Sequence, residues 1–145
     1  LEEVDFEKNS WVVPERRMKM RREHVVPLAG QVVALLRELQ KYSGDGKYLF
    51  PSIRARSTVI SDAAPLAALR KLGYTQEQMT LHGFRAMAST NLNELGFRVD
   101  VIETQLAHKE PDSVRLAYNR AQYMEERRKM MQAWADWLDA TRSKA

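Results

Sequence analysis

The sequence predicts an α+β domain, predominantly helical, in which a small three-stranded antiparallel sheet leads into a helical body. Two features predict it. Residues 3–28 carry three short runs rich in Val and aromatics, separated by polar breaks, and from residue 32 onward apolar side chains recur at helical spacing. With 145 residues, 44% of them apolar, the chain is long enough for one core and too short for two ordinary domains.

Each element follows from its residues. EVDF at 3–6, WVV at 11–13 and HVVPL at 24–28 read as strands, because β-branched and aromatic side chains suit a pleated, half-buried surface. Val32, Leu35, Leu36 and Leu39 fall on one face of a helix that ends near Ser43-Gly44-Asp45-Gly46. LFPSIRARS at 49–57 reads as a loop anchored by Leu49 and Phe50. A second helix starts after Ser61 or Asp62, carries Leu66 and Leu69, and stops at Gly73. Thr80 is placed to cap the helix HGFRAMASTNLNELG, with Gly96 as its stop. A shorter helix is expected over 100–107 and another from near Asp112, just after Pro111. MEERRKMMQAWADWLDA at 124–140 sets Met130, Met131, Trp134, Trp137 and Leu138 on one stripe.

Composition narrows the chemistry. The absence of cysteine excludes disulfides, thiolate metal sites and thiol nucleophiles, and is compatible with a reducing cytoplasm. The apolar run VVALL at 32–36 is far too short to span a membrane, so no membrane role is expected. Net charge is only +4, but it is clustered: ERRMKMRREH at 15–24 holds five Lys/Arg against two Glu. Further basic groups stand at Arg54/Arg56, Arg70/Lys71 and Arg127/Arg128/Lys129. Such clusters attract a polyanion, although any one of them alone reads equally as a solvated face.

The three histidines, His24, His82 and His108, are too far apart in sequence for a local metal-binding pair. His82 and Arg85, at i and i+3, share a face in the first turns of a helix, where free N–H groups and the positive end of the dipole already favour an anion. Gly83 would permit close backbone approach and Phe84 would supply an apolar anchor. His108 could simply complement a helix C-terminus. Tyr118 is one of five tyrosines, and a phenol that ionises near pH 10 needs a base or several positive charges beside it before it can act as a nucleophile.

Taken in order, RMKMRREHVVPL, LHGFR, QLAHK and VRLAYNR resemble the catalytic domain of the tyrosine recombinases, of the phage-type integrase kind found in prophages and genomic islands. The resemblance runs from Leu1 almost to Leu138. It implies that Tyr118 is the nucleophile, that His82, Arg85 and His108 surround the target phosphate, and that Lys19 lies on the turn between the second and third strands. It implies strand cleavage and rejoining in site-specific recombination through a 3′-phosphotyrosyl link, with no metal and no cofactor. Arg16, Arg17, Arg21, Arg22, Arg54 and Arg56 are then expected to contact DNA.

The implied partners are double-stranded DNA attachment sites, further copies of the protein forming a tetramer in synapsis, and accessory DNA-bending proteins. The implied location is the bacterial cytoplasm, at the nucleoid. The resemblance also implies that residues 1–145 are a catalytic domain truncated at its N-terminus. The arm-binding and core-binding domains and the family's first catalytic arginine would precede Leu1, and this stretch by itself is expected to cleave DNA poorly or not at all. Three other readings compete: a non-catalytic DNA-binding module, a type IB topoisomerase-like enzyme, and a metal hydrolase built on His24, His82 and His108.

Overall fold

The structure is a computed structural model and describes residues 2–19, 21–44, 46–107 and 123–143. The sheet forms as the sequence predicts: β1 (Val4–Asp5), β2 (Ser10–Val13) and β3 (His24–Pro27) pair antiparallel in the order β1-β2-β3. Trp11 stands opposite Val4 on one side and Val26 on the other, and Val13 pairs with His24. The Asp5 carboxylate ends β1 early by accepting the N–H groups of Glu7 at 3.0 Å and Lys8 at 2.9 Å, and Asn9 takes the left-handed conformation that its short amide tolerates. β1 is therefore shorter than the EVDF run suggests.

Five helices follow among the described residues: α1 (Gly30–Ser43), α2 (Ala64–Lys71), α3 (Leu81–Glu94), α4 (Val99–Gln105) and α5 (Met124–Arg142). The expected cap of α3 is present, with the Thr80 hydroxyl accepting the Gly83 N–H at 3.0 Å, and Gly96 takes the left-handed stop at φ 83°. α4 begins one residue earlier than expected and ends at Gln105, after which Ala107 turns the chain at φ 51°. The helix expected from Asp112 lies outside the described residues.

The face of α1 differs from expectation. Val33 and Ser43 are its buried residues, whereas Leu35 is 65% exposed. A run as uniformly apolar as VVALL does not fix its own rotation; the contact with α5 does. There the Gln132 side-chain carbonyl accepts the Gly30 N–H at 3.0 Å, and the Gln132 amide donates to Gln31 at 2.8 Å.

The core lies between α3, α4 and α5. Leu92, Val101, Ile102, Tyr123 and Met130 are buried, with Phe97, Leu106, Met131 and Trp134 packed around them. Burying side chains of this size contributes about 1.5–3 kcal/mol each. By contrast α2 buries no residue, and Phe50, Ile53, Val59, Leu72 and Tyr74 around it remain exposed. The connection from α2 to α3 is held by Arg70, whose guanidinium donates to the carbonyls of Tyr74, Thr75 and Met79 at 2.7–3.1 Å. This arginine, counted in the sequence among polyanion-attracting groups, organises a loop.

Candidate functional site

α3 presents His82 and Arg85 from its first two turns. The His82 side chain is exposed, and Arg85 is half-buried. At Gly83 the absence of a side chain has a local reason. A Cβ there would meet Met79 Sδ at 3.0 Å and Thr80 Oγ1 at 3.5 Å, so the missing side chain makes room for the cap itself. Phe84 is 42% exposed.

Arg85 reaches across to α4, where its Nη2 donates to the Leu106 carbonyl. The reason lies in the helix end. The last carbonyls of an α-helix have no partner within it, and the negative end of the dipole favours cations. At the end of α4, Leu106 O takes Arg85, and the carbonyl of Gln105 lies 3.2 Å from His24 Nε2. A basic group from α3 and an imidazole from β3 thus converge on one helical turn. A guanidinium has five N–H groups, and the carbonyl fixes the plane in which the remaining ones point.

A third basic side chain meets the same turn. Arg127, on α5, is 1% exposed; its Nε donates to Gln105 Oε1 at 2.8 Å and its Nη2 to the Val25 carbonyl at 2.6 Å. Its interior placement takes Arg127 out of the cluster read as solvated or polyanion-facing, while Lys129 remains exposed. The signal was present in the sequence, because Arg127 falls on the helical stripe of Met130, Met131 and Trp134, one turn before it. The role of Gln105 has no signal at the level of sequence. Leu138, expected on the same stripe, is 39% exposed.

The turn between β2 and β3 carries Lys19, exposed, just after a single 3-10 turn at Glu15–Arg17. Around it Arg16 and Arg21 are exposed and Arg22 is half-buried. Arg17 is ion-paired with Glu3 at 2.5 Å, and Trp11 Nε1 donates to the same carboxylate oxygen at 3.2 Å. Burial alone would raise the Glu3 carboxyl, but these hydrogen bonds and the Arg17 and Arg16 charges outweigh it and hold the group below its ordinary value. Arg54 and Arg56 are exposed on the loop closed by the Pro51–Val59 bridge.

His108 and Tyr118 lie outside the described residues, but both chain ends that flank them are described. Residue 107 follows directly on the turn gripped by Arg85, His24 and Arg127. Tyr123, where the chain returns, packs against the opposite end of α4: Arg98 lies 5.1 Å over its ring and donates to its hydroxyl at 3.3 Å. The hydrogen bond to Asp100, then burial, hold the Tyr123 phenol above its ordinary value of 10.0. A phenol kept protonated in a core is a structural group, which fits the expectation that Tyr123 only opens the final helix.

Among the described residues, no group of three or more His, Asp or Glu could hold a metal ion, and no helix is long and apolar enough to cross a membrane.

Comparison with known proteins gives a consistent result. A profile described as the Phage integrase family matches residues 1–125. The prophage integrase IntA of Escherichia coli K12 is 43% identical over 98% of this chain and 34% of its own length. The integrase of Enterobacteria phage P4 is 42% identical over 99% of this chain and 36% of its own length. That of Shigella phage Sf6 is 41% identical over 94% of this chain and 35% of its own length. The chain thus spans about a third of the length of these relatives. No solved structure matches.

Proposed function

Because the chain belongs to the phage integrase family, we propose that it carries the cleavage and rejoining chemistry of a tyrosine recombinase acting on double-stranded DNA at attachment sites. The supporting observation is the seat of Arg85: the arginine of HGFR donates to the carbonyl of Leu106, two residues before His108 in the chain.

In this reading Tyr118 Oη attacks a backbone phosphorus. A phosphorus–oxygen bond forms to the phenol as the bond to the 5′-oxygen breaks, leaving a 3′-phosphotyrosyl link and a free 5′-hydroxyl. The bond energy is kept, so a second DNA end can reverse the step without ATP. Negative charge gathers on the nonbridging oxygens in the transition state, and Arg85 and His108 supply donors where it develops. Arginine suits the position because its planar fork engages two oxygens and stays charged. Lys19, on its exposed turn, donates the proton to the leaving 5′-oxygen. His82 accepts the proton of the phenol, each transfer contributing about 10²- to 10⁴-fold. The charge that metal ions neutralise in many nucleases is met here by cationic side chains. Arg16, Arg17, Arg21, Arg22, Arg54 and Arg56 are assigned to DNA phosphates, and synapsis to a tetramer of the protein.

The test is a nicked suicide substrate offered to an integrase of full length that carries this domain. Unmodified protein is expected to accumulate a covalent DNA adduct and Tyr118→Phe to form none. Adduct formation by Tyr118→Phe overturns the assignment, and absence of adduct from the unmodified protein favours a DNA-binding module. Strand transfer between two sites, rather than relaxation alone, separates an integrase from a topoisomerase-like enzyme.

A further inference from the structure

Arg127 presents a physical problem. Taking a guanidinium out of water is unfavourable, and an apolar residue on the same stripe of α5 would pack there at no such cost. What the arginine provides instead is connection. Within one side chain it joins α5 to β3, through the Val25 carbonyl, and to α4, through Gln105 Oε1. Gln105 also offers its backbone carbonyl to His24, and the next carbonyl, of Leu106, receives Arg85. The side chain of Gln105 and the seat of Arg85 are therefore one residue apart on a single turn, and Arg127 ties this turn to α5 and β3 from the side of Gln105.

We propose that Arg127 and Gln105 are positioning residues for Arg85: they fix the last turn of α4, and the Leu106 carbonyl of that turn sets where the Arg85 guanidinium meets the phosphate. This inference rests on the assignment of Arg85 as a phosphate-binding group. The physical basis is that transition-state donors must be held before the reaction begins. A displacement of about 1 Å in such a group costs on the order of 10²-fold in rate even when the change is made at a distance. The arrangement also couples the docking of α5 to the geometry of a group on α3.

The experiment uses an integrase of full length carrying this domain, with Arg127→Lys and Gln105→Met as test variants and Arg85→Ala as reference. Arg127→Lys keeps the charge and loses the two-point grip; Gln105→Met keeps the volume and loses the acceptor. Single-turnover cleavage is measured on a substrate with an ordinary scissile phosphate and on one with a methylphosphonate, in which a methyl group replaces a nonbridging oxygen and removes its charge. Melting curves and DNA affinity are recorded beside each rate.

Both test variants are expected to slow cleavage of the phosphate about 10- to 100-fold with DNA affinity unchanged. The deficit should largely vanish on the methylphosphonate, where there is less charge for Arg85 to neutralise. An equal deficit on both substrates, or none on either, overturns the inference, because a general loss of packing has no reason to depend on the charge of one oxygen. If Arg127→Lys does not fold, Gln105→Met decides the matter by the same comparison. Should Arg85→Ala itself show no charge-dependent deficit, the assignment of Arg85 fails and the inference with it. Should Arg85→Ala show it and both test variants not, the positioning role alone falls.

Discussion

Tyr118 and Tyr123 stand five positions apart and carry opposite fates in the proposed chemistry. Sequence separates them only through the motif VRLAYNR, whereas the structure gives a physical reason to exclude Tyr123. Its hydroxyl lies within the Asp100–Arg98 pair, which is closed at 2.6 Å. Burial alone would raise the Asp100 carboxyl, but hydrogen bonds from Tyr123 and Arg98, with the Arg98 charge, outweigh it and leave the group below 3.8. A lowered carboxyl stabilises the fold in full above its ordinary value and loses that contribution as pH falls through its lowered one. The raised phenol of Tyr123 does so in full below 10.0 and loses its contribution as pH rises through its raised value. The junction of α4 and α5 is thus expected to loosen at both extremes. In Asp100→Asn this part of the acid branch should be missing, so that denaturant midpoints fall less steeply than in the parent protein as pH drops below about 4. An unchanged slope would show that Asp100 contributes nothing there.

At the scale of elements, caps and stops were legible and faces only in part. Thr80 and Gly96 bound α3 as their chemistry requires, because a hydroxyl acceptor and a residue free to take positive φ act locally. The rotation of α1 is decided by what lies opposite, which its own segment does not record; for Arg127 the stripe of α5 records the inward face but not the partners, Val25 and Gln105, that it meets there. The elements also differ in how firmly they are held. Met130→Ala on α5 removes a fully buried side chain and is expected to cost about 2–5 kcal/mol in denaturant unfolding. Leu72→Ala, next to α2, removes one that is 73% exposed and is expected to change stability by no more than about 0.5 kcal/mol. Comparable losses for the two would mean that α2 is packed against a surface outside the described residues.

For the molecule as a whole, the order of sheet and helices was predictable, since a change of hydrophobic period from two to near four is written along the chain. The meeting of β3, α3 and α5 at the end of α4 was not, because it depends on contacts as long as those of Arg127 with Val25 and Gln105. One consequence follows from how Tyr123 is fastened. Five residue steps of extended chain reach at most about 17 Å, and α4, with seven residues, is about 10 Å long. If Tyr118 is the nucleophile, chain length alone keeps it within that reach of Tyr123, which is fastened to the end of α4 opposite the turn that Arg85 holds. So short a leash favours attack on the phosphate bound by the same molecule, and a mixture of Tyr118→Phe and Arg85→Ala proteins should not regain cleavage. Recovery of adduct in that mixture would mean that the tyrosine is lent to a neighbour.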